Sequence, residues 1–125
     1  MKIPDVLFYT SNHEWIKIED DRAIIGITDF AQSELGDIVF IEFPEVGDTF
    51  SVGDIFGTVE AVKTVADLFA PISGEIIEIN NALELSPDAI NNDTYNDGWI
   101  IKIKISNSSE LDSLLDPQSY KGLLS

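Results

Sequence analysis

Short apolar runs separated by turn residues set the pattern of this chain. RAIIGIT (22–28), DIVFIEF (37–43), GEIIEIN (74–80) and WIIKIKIS (99–106) are rich in Ile, Val and Phe and predict strands. Alternation puts Val39, Ile41 and Phe43 on one face, Ile77 and Ile79 on another, and Ile101, Ile103 and Ile105 on a third, with Lys102 and Lys104 turned outward. Turn chemistry at Gly36-Asp37, Pro44 to Asp48, Gly53-Asp54, Ser73-Gly74 and Asp97-Gly98 divides the runs. Short strands between frequent turns predict a mostly β sandwich or barrel.

Helical signals are short and peripheral. Asp29 followed by Gln32 resembles a capping box, and Gly36 can close the segment DFAQSEL. In SPDAIN (86–91), Ser86 is placed as N-cap and Pro87 at the first helical position. Ser108 is placed as the cap of SELDSLL, whose Leu111, Leu114 and Leu115 share one face until Pro117. Asp116-Pro117 then starts a last turn carrying Tyr120.

The stretch VEAVKTVADLFAP (59–71) is ambiguous. Val59, Val62, Ala66 and Phe69 recur at helical spacing, with Gly57 and Pro71 as bounds, so periodicity favours an amphipathic helix. The rival is a hairpin with Lys63-Thr64 at its turn, although no Asn-Gly or Asp-Gly pair supports it.

Composition narrows the function. The 125 residues suit one domain, and no repeat or linker divides them. Seven Lys and Arg against 23 Asp and Glu, a net charge of −16, argue against nucleic acid and anionic membranes. The plain account of such acidity is solubility and self-repulsion between copies; the functional account, compatible with it, is steering towards basic faces on partner proteins. No apolar run reaches the roughly 18–20 residues that span a bilayer. MKIPDVLFYT has no secretory signal pattern. The expected location is therefore the cytoplasm of a prokaryote, or an organelle matrix after removal of a transit peptide. The absence of cysteine excludes thiol catalysis, disulfides and zinc-thiolate sites.

Enzyme chemistry is poorly supported. His13 is the one histidine, and no nucleophile elbow, phosphate-cradling glycine motif or calcium loop is present. His13 reads as a structural histidine beside Trp15 rather than a base, with Trp15 and Trp99 as core anchors. Lys63 stands apart, as the only Lys or Arg between Arg22 and Lys102. It is either an ordinary exposed lysine between half-buried strands or the attachment point of a prosthetic group. An attached group suits a protein without catalytic residues of its own, because the cofactor then carries the chemistry.

YTSNHEW (9–15), GITDFAQSELGDIVFIEFPEVGD (26–48), VEAVKTVADLFAPISGEIIEIN (59–80), SPDAIN and GWIIKIKIS (98–106) together resemble the H-protein family of the glycine cleavage system, across nearly the whole chain. The resemblance implies a lipoyl/biotinyl-type barrel-sandwich hybrid, an antiparallel sandwich with short peripheral helices including a C-terminal one. The lipoyl-type core is expected at about 22–106 and the C-terminal helical segment at about 108–125, within one domain covering 1–125. The resemblance overrides the helical period over 59–69 and implies a hairpin with Lys63 at its exposed turn.

Carried over residue by residue, it implies lipoic acid in covalent linkage to Lys63, with Glu60 read by the lipoylating enzyme. Asn12, Glu14 and Asp67 match the cleft that shelters the aminomethyl-loaded arm; position 12 is often serine in the family. Ala61 replaces a common serine, and Asp93-Thr94-Tyr95-Asn96 replaces Asp-Pro-Tyr-Gly. The implied partners are a pyridoxal-phosphate glycine decarboxylase, a tetrahydrofolate-dependent aminomethyltransferase, dihydrolipoamide dehydrogenase, and a lipoate ligase or lipoyl transferase. The implied role is a non-catalytic carrier, with monomer as the default state. A lipoyl-relay protein and an unmodified binding domain of the same fold are the alternatives.

Overall fold

A computed structural model describes residues 1–125. Nine strands form two antiparallel sheets. The larger joins β1 (Phe8–Tyr9), β2 (Glu14–Glu19), β3 (Arg22–Ile27), β9 (Ile101–Ile105), β8 (Gly74–Ile79) and β5 (Thr49–Phe50) in that order. The smaller joins β4 (Ile38–Glu42), β6 (Ile55–Ala61) and β7 (Val65–Phe69). The expected antiparallel sandwich with short helices, a C-terminal one included, is what the chain forms. Ile16, Ile25, Ile41, Val59, Ile76 and Ile103 belong to the main buried core, each side chain worth about 1.5–3 kcal/mol on burial. A second cluster of Leu7, Tyr9, Trp15 and Tyr120 seats the C-terminal helix.

Ile101 and Ile103 point inward with Lys104 outward, as alternation requires. The other two alternations fail at irregularities in the pairing. Between Ile38 and Phe40 the register with β6 shifts, so Ile38 and Ile41 are buried while Val39 and Phe40 are 51% and 54% exposed. A shift between Ile76 and Glu78 likewise buries Ile76 rather than aligning Ile77 with Ile79. One extra residue moves side chains to the opposite face, and sequence alternation cannot register it.

The region 59–69 is a hairpin, not a helix. Val59 pairs with Ala66 and is fully buried, whereas Val62, which a helix would have put on the apolar face, is 76% exposed. As a helix the segment would satisfy its own amides but leave Ile38, Phe40 and Ile41 of β4 without partners and turn the buried Ala61 and Leu68 away from the face shared by Val59, Ala66 and Phe69. Tertiary burial overrides local period here.

The helix ends differ from expectation in detail. Helix α1 (Asp29–Leu35) is capped by Thr28, whose hydroxyl accepts the Ala31 amide at 3.3 Å. Thr28 still has the extended backbone that ends β3, so it, rather than Asp29, has the geometry of a cap. Gly36 ends α1 at φ 78°, donating its amide to Gln32. Helix α2 spans only Ala89–Asn92, and Ser86 contributes its carbonyl, not its side chain, to the preceding turn. Residues Ser108–Ser113 form a 3-10 segment capped by Asn107, not a helix capped by Ser108. Leu114 leaves it extended, so Leu115 can exchange both backbone hydrogen bonds with Tyr9 at 2.8 Å. Asp116 caps α3 (Pro117–Leu124) as expected, accepting the Ser119 amide at 2.7 Å.

Candidate functional site

Lys63 sits at the tip of the β6–β7 hairpin. Glu60 pairs with Val65, and the Ala61 amide donates to the Thr64 carbonyl at 2.8 Å, which closes the connection. Val62, Lys63 and Thr64 are all exposed. The Val62 amide donates to the Asp37 carbonyl at 3.1 Å and ties the tip to the corner between α1 and β4. Lys63 Cε passes close over Gly36, 3.6 Å from where a β-carbon on that residue would stand. The two ion pairs of the protein, Lys17–Glu19 and Lys102–Glu78, leave the Lys63 amine unpartnered. Glu60 is exposed, flanked across the sheet by Phe40 and Val65, so the three form one outward row three residues before the lysine.

A cleft of about 230 Å³ lies where β7 ends, lined by Thr10, Asn12, Glu14, Pro71, Ser113 and Leu114 among others. The β1–β2 turn builds its floor. His13 takes φ 66°, its amide donates to the Thr10 carbonyl at 3.1 Å, and the chain reverses so that Glu14 points inward. Glu14 is 2% exposed. The Thr10 hydroxyl donates to its Oε1 at 2.6 Å and the Phe69 amide to its Oε2 at 3.4 Å. Burial pushes the Glu14 carboxyl up to about 7 from an ordinary 4.5, against the pull of those two hydrogen bonds. Asn12 stands exposed at the rim.

Asp67 does not line this cleft. It lies exposed on β7, opposite Thr58, which in turn pairs with Glu42. Thus the structure brings Asn12 and Glu14 together and connects Asp67 to them only through the strand that reaches Phe69. Thr10, Ser113 and Leu114 were not legible in the sequence as cleft residues. Thr10 joins through a left-handed turn residue, and Leu114 through its departure from the 3-10 segment. A larger opening of about 470 Å³, lined by Lys2, Lys17, Asp29, Asn92 and Tyr95 among others, contains neither Glu14 nor Lys63.

His13 is structural. Its ring packs on Phe30 with centroids 4.6 Å apart, and Nδ1 is 2.8 Å from the Tyr120 hydroxyl. Burial lowers its pKa. Tyr120 also meets the Thr28 hydroxyl at 2.7 Å. Trp15 is buried, with its indole N–H on the Thr94 carbonyl at 3.1 Å; Trp99 is half-buried beneath the Lys102 ammonium. No three His, Cys, Asp or Glu side chains are grouped to hold a metal ion.

The arrangement therefore offers a free amine at one end of β7 and a buried carboxyl at the other. At about 3.3 Å per residue, the strand Val65–Phe69 that lies between them spans roughly 13 Å. Such a site suits a long flexible attachment at Lys63 better than chemistry by the side chains themselves.

The family model described as "Glycine cleavage H-protein" matches residues 7–125. The glycine cleavage system H protein of Bacteroides fragilis is 50% identical over 124 residues, 99% of this chain and 98% of that one. That of Chlorobaculum parvum is 56% identical over 126 residues, with coverage of 99% and 98%. The crystal structure of a glycine cleavage system H protein from Mycobacterium marinum matches with a TM-score of 0.86 at 40% identity, covering 96% of this chain and 97% of its own.

Proposed function

Because the chain belongs to the glycine cleavage H-protein family, we propose that it is the lipoyl carrier of that system, with lipoic acid held in amide linkage on Lys63. The observation that carries this reading is the exposed, unpaired Lys63 amine at the tip of a hairpin. Acylation there requires no buried group to move and removes a charge from a position where no carboxylate depends on it. Glu60, exposed three residues earlier in the outward row with Phe40 and Val65, is open to the lipoate ligase or lipoyl transferase.

The protein is a carrier subunit rather than an enzyme. It moves an aminomethyl group from a pyridoxal-phosphate glycine decarboxylase to a tetrahydrofolate-dependent aminomethyltransferase and presents the reduced arm to dihydrolipoamide dehydrogenase. The lipoyl group supplies the redox and group-carrying chemistry when bound. The chain's own residues supply shelter and charge. Glu14 holds a buried carboxyl, raised to about 7, against the cleft. A cationic amine entering the cleft favours its ionised form, and their attraction is stronger there than in water. Asn12 offers a polar contact at the rim, and Asp67 adds negative charge along β7. The net charge of −16 suits brief encounters with basic patches on several enzymes in turn. Such a carrier works in the cytoplasm, as a monomer.

Intact mass with fragment mapping, on protein made with active lipoylation and free lipoate, tests the reading. One lipoyl group on Lys63 supports it, and decarboxylase-dependent exchange of the glycine carboxyl carbon then separates glycine cleavage from lipoyl relay. An unmodified Lys63, beside a control lipoyl domain modified in the same cells, removes the carrier role.

A further inference from the structure

Asn91 makes three hydrogen bonds that converge beneath the lysine hairpin. Its Oδ1 accepts the Ile38 amide at 3.0 Å, and its Nδ2 donates to the Gly36 carbonyl at 2.9 Å and to Gln32 Oε1 at 3.0 Å. A side-chain amide has two donor hydrogens and one acceptor oxygen, so Asn91 is committed on both sides. All three partners belong to α1 or to the corner that joins it to β4. That corner, Gly36-Asp37-Ile38, also supplies the Asp37 carbonyl that receives the Val62 amide at 3.1 Å, and Gly36 underlies the Lys63 side chain.

The base of this bracket is rigid. Ile90, next to Asn91 in α2, is fully buried in the main core. Gly98 closes on the same turn so tightly that a β-carbon would stand 2.9 Å from the Ile90 Cα and 3.0 Å from the Asp93 carbonyl oxygen. By contrast, the hairpin tip is exposed and has short local bonding, which is where backbone openings are least costly. Its bond to Asp37 is therefore as firm as the corner that carries Asp37.

We propose that Asn91 is a positioning residue for the modification of Lys63: it clamps the α1–β4 corner, the corner holds Val62, and Val62 sets the presentation of the neighbouring lysine to the lipoylating enzyme. A clamp 53 residues away in sequence from Ile38 has no direct contact with the amine and acts through the main chain. The inference rests on Lys63 being the lipoylated residue, but its backbone part does not.

Two readouts separate them. Amide hydrogen exchange of the wild-type protein reports the Val62 amide directly; protection at least tenfold over an open chain is expected. Asn91→Ala should lose that protection by about tenfold while the amides of Ile76 and Ile103 keep theirs, and should lower kcat/KM for lipoylation by about tenfold. Asn91→Asp keeps the acceptor for Ile38 but sets a carboxylate oxygen against the Gly36 carbonyl and Gln32 Oε1, so it should lose at least as much as Asn91→Ala. Glu110→Ala is the control, because Glu110 accepts two comparable bonds outside this bracket, from the Ser73 amide at 2.6 Å and the Ser73 hydroxyl at 2.9 Å. It should cost stability yet leave Val62 exchange and lipoylation of the folded protein unchanged.

A Val62 amide exchanging as in an open chain in the wild type overturns the proposal, whether or not the variants fold. Equal losses of lipoylation in Asn91→Ala and Glu110→Ala do the same by assigning the effect to general stability. An unmodified Lys63 in the wild type would instead sink the carrier reading, while lost Val62 protection in Asn91→Ala would still establish the clamp.

Discussion

Glu14 and Phe69, 55 residues apart, meet where the Phe69 amide donates to the Glu14 carboxylate at 3.4 Å. This contact joins the acid of the cleft to the strand that begins at the lysine hairpin, and it has a pH signature. The Glu14 carboxyl is raised from 4.5 to about 7, so between those values the folded protein binds more protons than the unfolded one. Its contribution to stability is full below about pH 4.5, falls as pH rises, and is lost above about pH 7. The difference amounts to about 3 kcal/mol. Glu14→Gln should remove this slope. Denaturant unfolding of both proteins at pH 5 and pH 8 checks it: the variant should gain about 2–3 kcal/mol relative to wild type across that interval.

Lys63→Arg tests the site without disturbing the fold. The side chain is exposed and unpaired, so stability should stay within about 0.5 kcal/mol of wild type. Lipoylation should vanish, because a guanidinium cannot take the amine's place as the acyl acceptor. Mass spectrometry and thermal melting on the same sample check both halves.

Tyr120→Phe probes the seat of the C-terminal helix. Its hydroxyl meets Thr28 at 2.7 Å and His13 at 2.8 Å, and Thr28 is fully buried. The substitution leaves two polar partners short of a bond and should cost about 1–3 kcal/mol. Amide exchange within α3 should accelerate before that of β3 or β9.

Gly26→Ala should be severe for a small change. An added β-carbon would stand 2.6 Å from the indole of Trp15, which is fixed by its bond to the Thr94 carbonyl. Overpacking of this kind costs about 1–3 kcal/mol. A lowered melting temperature with altered near-ultraviolet circular dichroism is the expected result.

Part of the site could be read before any coordinates. Lys63 is conspicuous because its neighbours in sequence are acids, valines and alanines, and a lone cation in an acidic chain draws the eye whatever its conformation. Glu14 stands out in the sequence only through family resemblance, and no local signal announces that it is buried. Its burial depends on the positive φ of His13 and on Thr10 and Phe69, which close around it from separate strands. Asn91 carried no chemical signal at all, since its three partners lie 53 to 59 residues away.

By itself the sequence determined the β character, the punctuation by Gly, Pro and Asp, the inward row of Ile101 and Ile103, and the Asp116-Pro117 start of the last helix. These depend on backbone sterics and on residues near one another in the chain. Tertiary structure decided the rest. The irregularities in β4 and β8 reverse faces because their partner strands demand it, and residues 59–69 become strands because β4 needs an edge to pair with. Thr28 displaces Asp29 as a cap because β3 delivers it in an extended conformation. In each case the free energy of burial and of pairing with distant chain outweighs a local preference of a few tenths of a kcal/mol per residue, of the order found for helix propensities.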